Sequence, residues 1–417
     1  MFKLDSKKYL NVHEIFLLLF PIVILFRSAA LNIYIVLGAI FFITSILKNK
    51  KIFSFFPIKI LLVFLIYLIL ISFDAENFTQ ALQSSVSQLR FFFFTLFIAF
   101  LNIRKEKLPV IIFLLSILIY FIIFDALYQY YFKTNFFGIT VDPINNAHRL
   151  SGLFIDELII GSYITYFSIP IGAFFLSRIK SVTVTEKIYY ISFIILAFIS
   201  TLLSGERISL LIFISAFSIL SLIYLNKIKQ TLILGCIILS IIFSYNFSQG
   251  VKFRFNSFAN DVFNFKTSGH GRLFSSAYII WEQNYFTGTG LKNYRVTCDN
   301  LKNKNFADPY TNMEILCSTH PHNTYLEILV ETGILGFILF LIFLISSCLF
   351  FIKSIKKISD QFKPFFWSAL IIFASYLWPI KSSGSFISTY NASYFWFFYG
   401  LILLCVIQSK NIKKLIL

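Results

Sequence analysis

The sequence predicts an all-α, polytopic integral membrane protein, and three observations predict it. Hydrophobic residues make up 58% of the 417-residue chain, with 55 Phe, while charged residues make up 13%. A soluble fold of this size cannot cover so much apolar surface. The apolar residues form continuous runs of transmembrane-helix length, where a β-barrel would show short alternating strands. The basic residues, which bring the formal net charge to +17, cluster in short stretches between those runs. Such clustering is topological. It removes the case for a nucleic-acid partner and leaves membrane lipid headgroups and an anionic substrate as the expected counter-charges.

Taken in order, twelve apolar spans fall near 13–27, 29–47, 57–73, 88–103, 108–128, 157–176, 187–204, 208–225, 230–246, 323–352, 364–380 and 392–408. The first is short enough to be tilted or re-entrant. Lys3, Lys7 and Lys8 precede it as they would in a signal peptide, but the many later spans favour a first transmembrane helix. Those lysines mark the cytoplasmic side, and Lys48/Lys50/Lys51, Arg104/Lys105/Lys107, Arg178/Lys180/Lys187, Lys227/Lys229, Lys353/Lys356/Lys357 and Lys410/Lys413/Lys414 fall on the same side. An even number of spans with both termini cytoplasmic satisfies every cluster. The chain reads as a single membrane domain over 1–417, without internal repeats.

The opposite face carries the loop near 129–156, the tip Gly205-Glu206-Arg207 and one large loop, 247–321, between the ninth and tenth spans. A loop that long is functional or disordered; its Trp281, its Tyr and Phe and its spaced glycines favour order. Its segment 272–284 has helical apolar spacing and is expected at the membrane interface. Four of the five histidines, His148, His270, His320 and His322, lie on this face, so any chemistry is extracytoplasmic.

Several residues there are of the right type for chemistry on an anion. In "STHPHNTYLEILVETGILG" Thr319 is a plausible N-cap, Pro321 suits a first helical turn, and His322 then falls in the first turn of the tenth span. On a regular helix Gly333 and Gly336 continue the stripe of His322, while Glu327 and Glu331 point away from it. A helix N-terminus attracts anions and disfavours imidazolium, so a neutral His322 can act as a general base; the bland alternative is a histidine that caps the helix. Arg207 is either a snorkelling or Glu206-paired arginine or a bidentate diphosphate ligand. Arg272 and Arg149 are further candidate anion ligands against solvated loop arginines. Asp156 and Glu157 are the one close carboxylate pair on this face. Cys236, Cys348 and Cys405 sit in apolar spans as packing residues. Cys298 and Cys317 share the large loop, where an oxidising compartment would bond them and tie the loop near His322, a closure of about 3 kcal/mol. Metal-ligand and phosphate-loop motifs are absent from the sequence, and no metal, cofactor or nucleotide is expected.

Four stretches recur in a recognisable order: "HRLSGLFIDELIIGSYI"; "LLSGERISLLIF"; "GHGRLFSSAYIIWEQNYFTGTGLKNY", with an Arg, a Trp nine residues later and a GxG; and His322-Asn323 followed after nine residues by Gly333-Ile-Leu-Gly336. Over roughly 145–340 they resemble the O-antigen ligase and O-antigen polymerase family of bacterial membrane glycosyltransferases. The resemblance implies transfer of glycan from an undecaprenyl-diphosphate carrier at the periplasmic face of the inner membrane. A ligase would deliver it to lipid A–core, a polymerase to another repeat unit. It implies His322 as the base that activates the acceptor hydroxyl and Arg207 and Arg272 as the diphosphate ligands. Arg149, Asn323, His320 and Trp281 would bind substrate. A lipid-linked glycan flippase or other transporter is the competing class, but the polar candidates crowd one face and no inverted repeat supports it.

Overall fold

A computed structural model of the protein describes residues 9–46, 55–141, 149–155, 157–379 and 381–409. The apolar runs are helices: α1 (Val12–Ile24), α2 (Arg27–Ile46), α3 (Phe56–Ile71), α4 (Phe78–Phe100), α5 (Leu108–Phe132), α6 (Ile160–Arg178), α7 (Val184–Leu203), α8 (Arg207–Tyr224) and α9 (Lys227–Phe247). The large loop follows, with α10 (Gln249–Phe263), α11 (Gly269–Gln283), α12 (Tyr294–Asn303) and the short antiparallel pair β1 (Ala307–Asp308) and β2 (Met313–Glu314). The chain closes with α13 (Thr324–Ser354), α14 (Lys363–Tyr376) and α15 (Thr389–Gln408). Helix starts follow their local chemistry: Asn11 with Glu14 and Thr183 with Glu186 form capping boxes, and proline stands in the first turn of α3 and α5.

Among the described residues eight helices are long and apolar enough to cross a membrane unaided: α2, α3, α5, α6, α7, α8, α13 and α15. The expected count of twelve is therefore not reached on length and hydropathy alone. Helix α1 has 13 residues and α14 has 14, and the first half of α4 is rich in Gln and Ser. The basic residues 1–8, 47–54 and 410–417 used for orientation lie outside the described residues, as do His148 and Asp156.

The chain divides into two compact units. One gathers the residues up to Tyr34 with Phe100–Ser257 and Ser359–Ile372; the other gathers Ile35–Ala99, Phe258–Ile358 and the residues from Phe373 onward. In the first, α6 is the central helix and packs on α5, α7 and α8. Small residues allow this: a Cβ on Gly172 would lie 2.4 Å from the Phe217 ring. Glu14 and Arg104 pair through two hydrogen bonds of 2.9 and 2.6 Å, which fixes α1 to the turn before α5.

In the second unit α13 packs along α3 and, at its N-terminal end, along α11. Helix α13 has 31 residues, about 46 Å of helix, against a hydrocarbon core of about 30 Å. The helix is broken at Gly333, which has φ 64° and ψ −175°. The loop 285–290 docks there through its backbone. Ile334 N–H donates to Tyr285 C=O at 2.9 Å, Thr289 N–H to Val330 C=O at 3.0 Å and Gly290 N–H to Glu331 C=O at 2.9 Å. The close approach requires glycine on both sides, since a Cβ on Gly333 would lie 2.1 Å from the Phe286 carbonyl oxygen and one on Gly288 2.5 Å from Gly333 N. The helical wheel that put both glycines on one stripe with His322 thus fails at Gly333.

The loop is ordered around its own small core of Ala277, Ile280, Tyr294, Cys298, Ile315 and Val330, with Trp281, Phe306 and Cys317 against it. Cys298 and Cys317 are joined as a disulfide with Cα atoms 5.7 Å apart. The buried carboxylate of Asp308 shapes the turn between β1 and β2, accepting from Ser275 Oγ at 2.8 Å, Thr311 Oγ at 2.8 Å and Tyr310 N–H at 2.8 Å. Burial raises its pKa, and these hydrogen bonds outweigh it and leave the carboxyl below its ordinary value.

Candidate active site

The residues ahead of α13 do not continue the helix. Asn323, not Thr319, is the N-cap: its Oδ1 accepts from Tyr325 N–H at 3.0 Å and Leu326 N–H at 3.1 Å, and α13 begins at Thr324. Its Nδ2 donates to the carbonyl of Pro379 at 2.7 Å. Both ends of the amide are engaged inside the protein, so Asn323 is a cap and a tie rather than a free ligand. His322 therefore precedes the cap instead of lying in the first turn, and its backbone is left-handed at φ 58°. A non-glycine residue holds that conformation only where its surroundings impose it. Here the imposing contact is Ser383 N–H, which donates to the His322 carbonyl at 2.8 Å.

Three histidine rings gather at this point. His320 and His322 stand 4.1 Å apart between ring centroids at 42°, and His270, from the first turn of α11, meets His322 at 5.9 Å and 76°. The Ser383 carbonyl lies 3.3 Å from His320 Nε2. A carbonyl only accepts, so that nitrogen carries the proton and Nδ1, 2.9 Å from Thr319 Oγ1, accepts. Ser318 Oγ lies 3.3 Å from His322 Nε2. Burial, the charge of His322 and Lys292 lower the His320 imidazole to about 4, against the smaller opposing effect of the Ser383 carbonyl. Burial and the charge of His270 lower His322 below its ordinary value of 6.5. Both imidazoles are accordingly neutral at neutral pH, the state in which a histidine can take a proton.

Much of what holds this site was not singled out in the sequence. The segment between α14 and α15, "KSSGS" at 381–385, wraps the start of α13. Beyond its two bonds to the histidines, Ser383 reaches Thr324 Oγ1 at 3.3 Å, and Ser385 Oγ donates to Glu327 at 2.5 Å and accepts from Lys292 Nζ at 3.1 Å. Phe386 N–H also donates to Glu327, at 2.6 Å. Desolvation lowers the Lys381 ammonium to about 8; it donates to Ser375 C=O at 3.2 Å and lies over the Tyr376 ring. Glu331, one turn beyond Glu327, is fully buried. The available sequence signal was a short run of small polar residues between two apolar spans, which an ordinary loop also shows.

The other candidates are placed as follows. Arg272 leaves the first turn of α11 and donates to the carbonyl of Glu314 at 2.9 Å, while its buried Nε has no hydrogen-bond partner among the described residues. The α11 side chain that meets His322, edge to face, is His270. Trp281 packs against the loop core, with its ring 4.9 Å from Tyr285. Arg207 and Arg149 belong to the other unit. Arg207 is the first residue of α8, and Arg149 donates to the Leu158 carbonyl. Glu206 is buried and structural. Its carboxylate accepts from Gly161 N–H at 2.6 Å, Ser162 N–H at 3.2 Å, Ser162 Oγ at 2.6 Å and Ser209 Oγ at 2.8 Å. It thus caps the N-terminus of α6, where free amides favour an anion. Burial raises its pKa, against the charge of Arg149 and these hydrogen bonds. Glu157 N–H donates to Phe154 C=O at 3.0 Å.

No curated protein matches the chain. A family model described as O-antigen ligase matches residues 192–341, from within α7 to a point past the break in α13. The matched stretch contains Arg207, Arg272, Trp281, both bonded cysteines, His320, His322 and Asn323, and leaves Arg149 outside. Over residues 192–341 the chain is therefore similar to the O-antigen ligase family.

Proposed function

We propose that the protein transfers glycan from an undecaprenyl-diphosphate carrier to a saccharide acceptor at the periplasmic face of the bacterial inner membrane, with lipid A–core as acceptor in the manner of an O-antigen ligase. The observation that carries this is the half-buried imidazole of His322, held below its ordinary pKa ahead of α13 and inside the matched stretch. His322 takes the proton of the acceptor hydroxyl as its oxygen bonds to the anomeric carbon of the donor sugar. The bond from that carbon to the diphosphate oxygen breaks, and undecaprenyl diphosphate leaves. The family resemblance assigns binding of the diphosphate to Arg207 and Arg272, whose guanidinium forks suit it. In this topology α1, α4, α9 and α14 complete twelve crossings, both termini are cytoplasmic, and the loop with its disulfide faces an oxidising compartment.

The test is transfer in vitro from a defined undecaprenyl-diphosphate glycan, with lipid A–core and a repeat-unit saccharide as rival acceptors. Product on lipid A–core that disappears in His322→Ala supports the ligase; product on the repeat unit alone makes the protein a polymerase. Undiminished transfer by His322→Ala would overturn both.

A further inference from the structure

The loop carries a row of exposed aromatic rings that the proposed chemistry does not use. Tyr310 lies 5.5 Å from Tyr278, Tyr278 5.5 Å from Trp281, Trp281 4.9 Å from Tyr285 and Tyr285 5.1 Å from Phe286, each measured between ring centroids. Tyr278 is 40% exposed, Tyr285 44%, Phe286 66% and Tyr310 42%. Trp281 anchors the row against the loop core. A contiguous exposed aromatic strip marks a binding surface rather than a by-product of packing.

Charge separates the possible occupants. The exposed carboxylate of Glu282 lies within the row and accepts from Tyr310 Oη at 3.2 and 3.3 Å. From Leu273 to Leu291 the chain has neither Lys nor Arg. A surface for anionic headgroups would carry basic residues and no carboxylate. Ring faces flanked by phenol hydroxyls and a carboxylate suit a different partner: the C–H faces of sugar rings, with their hydroxyls hydrogen-bonded at the edges. Tyr278 and Trp281 of the row lie on α11, the helix whose first turn brings His270 edge-on to His322.

We propose that this row is a saccharide-binding strip that holds the glycan chain while its reacting end lies near His322. The inference rests on the glycosyltransferase reading, and its test separates the two. The probe is the host's own polysaccharide, released from its lipid by mild acid. Its binding is measured by equilibrium dialysis with the full-length protein in nanodiscs, using the His322→Ala background so that turnover plays no part. Tyr278→Ala and Tyr285→Ala are exposed substitutions and are checked for an unchanged melting temperature. Each should weaken binding by about tenfold, the change expected when one stacking contact is lost. Tyr278→Phe, which keeps the ring face, should bind as the parent does. In the transfer assay the alanine variants should raise KM for donors of many repeat units while kcat holds. Unchanged polysaccharide binding in both alanine variants overturns the strip even if transfer is confirmed. Weaker attachment to phosphatidylglycerol vesicles with unchanged saccharide binding also overturns it, in favour of a membrane contact. Tyrosine-dependent binding with no transfer by the wild type keeps the strip and removes the transferase reading.

Discussion

His270 and His322 meet edge to face, 5.9 Å apart between ring centroids, and this contact joins the first turn of α11 to the residue ahead of the α13 cap. Burial first, and then the charge of His270, keeps the His322 imidazole below its ordinary value of 6.5. If His322 is the base, transfer should stay level as pH falls to 6.5 and decline only below it. Replacing His322 with Ala should lower the rate by about two to four orders of magnitude, the usual worth of a general base. His270→Phe keeps a ring against His322 and removes the charge, so the acid limb should move to higher pH. A pH–rate profile of both proteins decides; superimposed acid limbs would show that His322 does not feel His270.

The same depressed imidazoles link stability to pH. A histidine whose folded pKa is lowered binds fewer protons in the folded state than in the unfolded state, so its stabilisation is full above the unfolded value and lost as pH falls through the folded one. For His320 that window runs from the ordinary value of 6.5 down to about 4. Melting temperatures between pH 7.5 and 4.5 should therefore fall more steeply in the wild type than in His320→Gln, which does not titrate there. Parallel curves would mean that His320 titrates alike in both states.

Asn323 serves two structural ends with one amide, capping α13 and tying it to Pro379. Asn323→Ala removes both and should cost about 1–2 kcal/mol, as cap removals do. Asn323→Ser restores an acceptor for the cap but not the tie to Pro379, so it should recover part of the loss. Thermal unfolding of the three proteins measures this, and equal stability of the alanine variant and the wild type would refute the cap.

The disulfide between Cys298 and Cys317 closes a sequence separation of 19 and holds α12 to the segment that leads to the histidines. Cys298→Ser should destabilise the loop by about 2–4 kcal/mol. Dithiothreitol should lower the melting temperature of the wild type and leave that variant unchanged. An equal response of both proteins to dithiothreitol would count against the bond.

What could be read from the sequence divides along physical lines. Continuous apolar runs report helices directly, and each expected span falls on one. Whether a helix crosses a bilayer alone depends on length and polarity, and there α1 and α14 fall short. His322 was legible as a histidine at a helix entrance. Its backbone was not, because a left-handed φ of 58° is imposed by Ser383, 61 positions away in the chain. The wheel that aligned His322 with Gly333 assumed unbroken helix, and a single-helix argument cannot contain the loop that breaks it. For the same reason Glu206 read as a neighbour of Arg207, whereas its carboxylate caps α6, more than forty residues earlier. Periodicity describes one element at a time, and this site is assembled by contacts between elements.

The junction of Gly288 and Gly333 gives the sharpest test of that assembly. Both residues have left-handed φ, 72° and 64°, and neither has room for a Cβ against the facing backbone. Alanine at either position carries the left-handed penalty of about 1–2 kcal/mol and also collides with main-chain atoms that cannot rotate away. The loop should relax by undocking, with loss of the bonds from Thr289, Gly290 and Ile334. Gly269→Ala is the control, since a Cβ there meets nothing within 4 Å. Amide hydrogen exchange should then rise across 285–290 and 330–335 in Gly288→Ala and Gly333→Ala, but not in Gly269→Ala. Transfer activity should fall with docking, because α11 carries His270 at one end and this loop at the other. Unaltered protection at 285–290 in both junction variants would show that the break in α13 forms without the loop.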